Sequence, residues 1–143
     1  MGNLNAFFRE NVKVEDNTVE RVISKRMLDE NGKPIKWKFK PIRYTELLDI
    51  IDKNTEVKAT TKDGASTSIK TKALLMDQAI NTVVFPPLKN KKLQDSWGVF
   101  TPEDLLNVML GDNNNEWKKL FDTVQELNGK GKEQDKQEKE VKN

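Results

Sequence analysis

Residues 29–42, DENGKPIKWKFKPI, decide the fold because they predict a tight turn followed by a strand. Asn31-Gly32 is a preferred dipeptide of the type I′ hairpin turn, in which both central residues have positive φ. Beyond the turn, apolar side chains alternate with lysines: Ile35, Trp37 and Phe39 with Lys36, Lys38 and Lys40. This period of two predicts a strand with one face in a core and the other in water.

The segment before the turn supplies the partner strand. Thr18–Leu28 is rich in Val, Ile and Met with imperfect alternation, which predicts a bulged strand pairing with Ile35–Ile42. A lone hairpin is only marginally stable in water, so it must pack against other elements. We therefore predict an α+β fold in which an N-terminal β-hairpin packs against a small bundle of short α-helices.

Downstream segments carry helical patterns and helix-end signals. The predicted helices are residues 44–54, 70–85, 89–97, 101–111 and 113–129. A Pro-Pro pair ends the second helix, because proline lacks the next backbone donor. Thr101 fits an N-cap with Pro102 at the first helical position, while Gly111 and Gly129 fit left-handed stops.

The middle of the chain is less regular. Residues 56–70 are rich in Thr, Ser and Lys around Asp63-Gly64, which suits a weak hairpin or a loop, and a loop is the favoured interpretation. We expect residues 1–129 to form a single globular domain.

Both ends of the chain differ from this domain in pattern. Within residues 1–15, apolar Leu4, Phe7 and Phe8 predict a short, loosely docked helix that contacts the body or a partner. Residues 130–143 contain one apolar residue, so we predict a disordered charged tail.

The composition argues against most enzyme classes. The 143 residues include no cysteine and no histidine, which removes thiolate chemistry, cysteine-ligated zinc and the commonest general base. No P-loop or dinucleotide fingerprint occurs. Asp112, Asn114 and Glu116 have the spacing of calcium ligands, but Trp117 stands where that loop needs glycine. We predict no catalytic site, cofactor or metal.

The termini and hydropathy predict a soluble intracellular protein. The start has no basic run followed by an apolar core, and no stretch of about 18 apolar residues occurs. The net charge of +2 comes from 25 basic and 23 acidic residues, a balance that weighs against a dedicated nucleic-acid binder.

A basic stripe has two interpretations. Its members are Lys33, Lys36, Lys38, Lys40 and Arg43, joined by Lys89, Lys91 and Lys92. They could hold phosphate in a small nucleic-acid-binding module, or discourage edge-to-edge strand pairing and keep the sheet soluble. The second interpretation is favoured because no aromatic residue interleaves with the lysines, as single-strand binding requires.

An apolar segment is the candidate partner-binding surface. Residues 86–100, PPLKNKKLQDSWGVF, hold five apolar residues around irregular backbone: Leu88, Leu93, Trp97, Val99 and Phe100. Such residues can anchor partners, although in a chain this polar they belong more often to the core.

The order of these features resembles a known family. LNAFFREN, the hairpin of residues 29–42, the Thr-rich middle, LQDSWGVFTPEDLLNVML and EWKKLFDTVQELNG follow one another as in the XkdN-like phage tail assembly chaperones of Gram-positive phages and prophages. The resemblance covers about residues 4–129, and Leu93–Leu110 is its most specific part.

The resemblance implies a non-enzymatic role in the bacterial host cytoplasm. A member of this family would bind the tape-measure protein, and other tail proteins, and keep the tape-measure protein soluble during tail morphogenesis. It transfers no binding residue. Two alternatives stay open: a structural tail component retained in the particle, and a small nucleic-acid-binding module that uses the face of Lys36, Lys38 and Lys40.

Overall fold

A computed structural model describes residues 4–58 and 66–129 and shows the α+β architecture that the sequence predicts. Two single 3₁₀ turns, Leu4–Phe7 and Arg9–Asn11, come first. The strands are β1 (Val19–Arg21), β2 (Trp37–Phe39), β3 (Thr55–Lys58), β4 (Ser66–Ile69) and β5 (Val83–Phe85). The helices are α1 (Tyr44–Lys53), α2 (Thr71–Thr82), α3 (Lys91–Ser96), α4 (Pro102–Leu110) and α5 (Asn114–Asn128).

The predicted hairpin forms, with the expected irregularity. β1 and β2 are antiparallel with Val19 opposite Phe39, and an isolated bridge joins Leu28 to Pro34 nearer the turn. Between these two pairings the first arm has residues 22–27, whereas the second has only 35–36. The first arm therefore bulges away from the ladder.

The turn itself differs from the predicted type I′ turn. Gly32 has a φ of 77°, but Asn31 is not in the positive-φ region. The backbone N–H of Gly32 donates to the carbonyl oxygen of Asp29 at 3.0 Å, and that of Asp29 donates to Lys33 at 2.8 Å. The Asp29 carboxylate also accepts from the backbone N–H of Asn31 and Lys33. Because Asp29 satisfies these donors, a three-residue loop replaces the two-residue one.

A third strand corrects the predicted helix over residues 70–85. Helix α2 ends at Thr82, and β5 pairs antiparallel with β2 through Phe85 opposite Lys38. β-branched Val83 and Val84 favour extended backbone, and the following proline disfavours helix in Phe85. The sheet order is β1-β2-β5, so β2 has a neighbour on each side.

This position also corrects the expected role of the lysines on β2. An edge strand needs charged residues against pairing with another chain, but β2 lies in the middle of its sheet. The lysine face does contain an aromatic residue, since Phe85 lies opposite Lys38 and is 40% exposed. The sequence pattern did not reveal it because Phe85 comes from a different strand.

The predicted loop over residues 56–70 is a hairpin in its described part. β3 pairs antiparallel with β4, and the N–H of Lys70 donates to the carbonyl oxygen of Asn54 at 2.7 Å. The many β-branched residues of these strands favour extended backbone. Asp63-Gly64 lies outside the described residues.

Several helices begin or end at the capping residues that the sequence predicts. Side-chain oxygens accept backbone N–H groups at three helix starts: Asn90 from Leu93, Thr101 from Asp104 and Asn113 from Glu116. Gly129 is left-handed, as predicted. Gly111 has φ 53° but ψ −128°, so it is not in the predicted left-handed conformation. That sharper bend, open freely only to glycine, leads from α4 to α5.

The core lies between the inner face of the sheet and helices α2, α4 and α5. Trp37 and Phe39 are fully buried, as their alternation with lysines predicted. They belong to one cluster with helical residues that include Ala79, Leu105, Leu106, Leu120 and Val124.

The N-terminal segment does not form the predicted α-helix. Leu4, Phe7 and Phe8 lie on or beside the 3₁₀ turns, and all three side chains are exposed, Phe7 by 78%. The predicted tail, residues 130–143, lies outside the described residues.

Candidate partner-binding site

The five predicted partner-binding residues separate into two groups. Leu88 is buried in the core, and Leu93 and Val99 are half-buried against it. Trp97 is 42% exposed and Phe100 is 88% exposed. Of the five, only these two are exposed, and only Phe100 presents most of its side chain to an incoming partner.

A second apolar surface lies in a groove of about 540 Å³ between α2, α5 and the end of α4. We call it the α2–α5 groove. Its apolar lining is Leu75 and Met76 from α2 with Trp117 and Phe121 from α5. Thr71, Lys72, Asn107 and Gly111 complete the lining.

The wall from α5 is held by contacts within the chain. Trp117 and Phe121 lie one helical turn apart, and their rings stack with centroids 5.7 Å apart and planes 15° apart. The indole Nε1–H of Trp117 donates to the carbonyl oxygen of Gly111 at 2.9 Å. Because this donor is satisfied within the chain, the ring is left to make apolar contacts.

The wall from α2 is more adaptable. Leu75 and Met76 are each half-buried. The unbranched thioether of methionine adapts to differently shaped partners. An apolar groove flanked by helices suits an amphipathic helix, whose apolar stripe lies in the groove.

An ion pair fixes the start of α5 and hence the position of Trp117. Arg26 donates to both oxygens of the buried Glu116 carboxylate, at 2.6 and 3.2 Å, and to the carbonyl oxygen of Met109 at 2.7 Å. The hydrogen bond from Arg26 is the main reason that the pKa of Glu116 is lowered, and the same bond raises the pKa of Arg26. Glu116 is therefore part of a structural contact between the loop after β1 and α5.

A second, charged groove of about 690 Å³ adjoins the first and shares Thr71, Lys72, Met76 and Asn107 with it. Lys53 and Lys70 lie on one part of its lining, and Glu103 and Asp104 on another. The apolar surface therefore continues into a surface with charges of both signs.

The groove residues were visible in the sequence only as helical stripes. Trp117 and Phe121 belong to the predicted apolar stripe of α5, but in that stripe only Leu120 and Val124 are fully buried, while Trp117 and Phe121 are partly buried against the core. The signal in the sequence was that the apolar stripe of α5 contains more residues than become fully buried.

No group of three or more acidic side chains that could hold a metal occurs among residues 4–58 and 66–129. Of the three residues with calcium-like spacing, Glu116 binds Arg26, and the neighbouring Asn113 caps α5. Within the same residues, no helix is long and apolar enough to cross a membrane.

Comparison with known proteins identifies the family to which this chain belongs. The sequence profile of the phage XkdN-like tail assembly chaperone proteins matches residues 4–142. This chain belongs to that family. The resemblance inferred from the order of motifs is thereby confirmed.

Two proteins of Bacillus subtilis (strain 168) are similar to this tail assembly chaperone. The phage-like element PBSX protein XkdN is 26% identical over 139 residues, which cover 96% of this chain and 93% of XkdN. The uncharacterized protein YqbN is 28% identical over 125 residues, which cover 87% of this chain and 83% of YqbN.

A crystal structure of the protein YqbN has a similar fold. Its TM-score is 0.71 at 22% identity, and the match covers 91% of the chaperone and 98% of that chain. At this identity the likeness establishes the shared fold.

Proposed function

We propose that this tail assembly chaperone binds the tape-measure protein in the α2–α5 groove and keeps it soluble in the host cytoplasm while the tail is built. The observation that carries the proposal is the half-buried apolar lining of the groove, formed by Leu75, Met76, Trp117 and Phe121. An isolated long helical client exposes apolar stripes of its own, and a groove of this kind covers such a stripe.

The proposed role is binding without catalysis. The composition supports this role, because 34% of all residues are charged and a charged surface would keep a complex with an apolar client in solution. Trp97 and Phe100 are a second surface that the client could contact.

The test is co-expression of the chaperone with the tape-measure protein of the same phage, followed by measurement of soluble tape-measure protein and of the co-purified complex. Leu75→Glu places a charge in the groove, and we expect it to reduce the complex by about tenfold or more. Leu48→Glu is the matched control, since Leu48 is an exposed leucine of α1 outside the groove lining.

The results separate the two candidate surfaces and also test the chaperone function itself. Retained binding by Leu75→Glu together with loss in Phe100→Glu would move the site to the segment around Trp97. A tape-measure protein that stays equally insoluble with and without the chaperone would contradict the proposed function. Mass spectrometry of purified particles supplies a separate check, because an assembly chaperone should be absent from them while a structural tail component should be present.

A further inference from the structure

A further cleft, separate from the two grooves described above, has a volume of about 440 Å³ and lies where the hairpin of residues 29–39 meets β5. We call it the lysine cleft. Ile35 and Phe85 supply apolar surface, and Lys33, Lys36 and Lys38 surround it. The lysine cleft shares no lining residue with the α2–α5 groove.

The three lysines leave much positive charge unneutralised. All three are exposed, and among the described residues none lies within 4.0 Å of a carboxylate oxygen. Asp29 lines the cleft and offsets one of the three charges, and Glu20 lies opposite Lys38 across the β1–β2 ladder, so the acidic groups at the cleft are fewer than the lysines. The cleft therefore retains a net positive charge.

Protection of a sheet edge does not explain this cluster, since β2 is the central strand. The register places Phe85 opposite Lys38, so a partly exposed ring lies among the cations. The Phe85 ring and the aliphatic stems of the lysines supply apolar contact area, while the ammonium groups stay available to carboxylates.

We infer that the lysine cleft binds an acidic peptide segment in which an apolar anchor side chain is flanked by carboxylates. The anchor would contact Ile35 and Phe85, and the carboxylates would pair with the ammonium groups of the lysines. Charge complementarity of this kind selects the partner and speeds its association. A nucleic acid fits less well, because the lining offers a single ring where single strands stack successive bases.

The probe is a fluorescein-labelled synthetic peptide, Glu-Glu-Asp-Phe-Leu-Asp-Glu-Glu, titrated with the full chain and followed by fluorescence anisotropy. Comparison peptides replace Phe-Leu by Ser-Ser, or all acidic residues by Lys. We expect only the acidic peptide with the apolar pair to bind well. An oligothymidylate of similar length and charge tests the nucleic-acid alternative.

The variant Lys36→Glu/Lys38→Glu should weaken peptide binding by about tenfold or more, because it reverses two of the cleft's charges. The control Lys91→Glu/Lys92→Glu changes the net charge equally on exposed residues of α3 and should change the affinity by less than about twofold. Phe85→Ser should weaken binding with no change in net charge. Circular dichroism confirms that each variant is folded.

Three results would overturn the inference: no binding of the acidic peptide, an equal loss in the α3 control, or tighter binding of the oligothymidylate. Leu75→Glu should leave peptide binding unchanged. Failure at this cleft is therefore distinguishable from failure of the proposed client site.

Discussion

Glu116 connects two distant parts of the chain. Its carboxylate accepts hydrogen bonds from Arg26, and its backbone N–H donates to the side chain of Asn113 at the start of α5. Trp117, the next residue, lines the α2–α5 groove. A buried carboxylate that the fold holds ionised therefore supports the geometry of the proposed client site.

This pair predicts a pH-dependent stability difference. Arg26 holds the pKa of Glu116 below its ordinary value of 4.5, so the contribution of Glu116 is present above its unfolded-state pKa and is lost as the pH falls through the folded-state pKa. Glu116→Gln should therefore lower the free energy of unfolding at about pH 7, and the difference from the natural chain should shrink below about pH 4.5. Urea unfolding at both pH values measures this.

The control is Asp122→Asn, which neutralises an exposed carboxylate on the same helix. It should change the free energy of unfolding little at either pH. A deficit in Glu116→Gln that stays constant from neutral to acidic pH would mean that lost packing, and not the ion pair, accounts for its effect.

At the scale of elements, the two hairpins differ in what holds them. β2 has a neighbour on each side and buries Trp37 and Phe39, whereas the β3–β4 hairpin exposes Val57 and Ile69. The first hairpin is part of the core. The second depends on its own backbone ladder and on contacts at its base, such as the ion pair between Lys70 and Glu56 at 2.9 Å.

Truncation of one apolar side chain in each hairpin tests this difference. Phe39→Ala should lower the free energy of unfolding by about 3–5 kcal/mol, because it leaves a cavity beneath the central strand. Ile69→Ala, in the exposed hairpin, should cost less than about 1 kcal/mol. Denaturant unfolding gives both values. Equal losses would show that the second hairpin packs on the body more closely than its exposure indicates.

The features that the sequence predicted correctly are those that depend on residues adjacent in the chain. The cap at Thr101 and the stop at Gly129 need only the adjacent residues, and the alternation around Trp37 directly gives its buried face. β5 was assigned to a helix because its partner, β2, lies far earlier in the chain. The prediction of a type I′ turn at Asn31-Gly32 was wrong, because hydrogen bonds to the Asp29 side chain hold a different turn geometry.

The candidate site was harder to predict, for a related reason. Hydrophobicity identified Met76 and Trp117 as apolar helix residues. Their exposure, however, depends on the separation of α2 and α5 at the groove. By contrast, Leu88 looked like a partner residue and is buried. Sequence patterns assign residues to faces, and only the packing of the helices decides which part of a face stays uncovered.

At the scale of the whole molecule, the two surfaces predict opposite responses to salt. The proposed complex with the tape-measure protein, which would form through apolar contact in the α2–α5 groove, should survive about 1 M salt in a pull-down. Binding of the acidic peptide at the lysine cleft should fall steeply between about 0.05 and 0.5 M salt. A tape-measure complex that dissociates at high salt would place that contact on charged surface instead.

The three tryptophans of the chain lie in three different environments: Trp37 in the core, Trp97 facing solvent and Trp117 in the groove. Indole emission shifts with the polarity of its surroundings, so the protein carries its own optical reporters. With Trp97 replaced by phenylalanine, Trp37 supplies a constant blue emission, and a change in the remaining spectrum comes from Trp117. Binding of a tryptophan-free peptide in the groove would then change the emission of the protein without any added label.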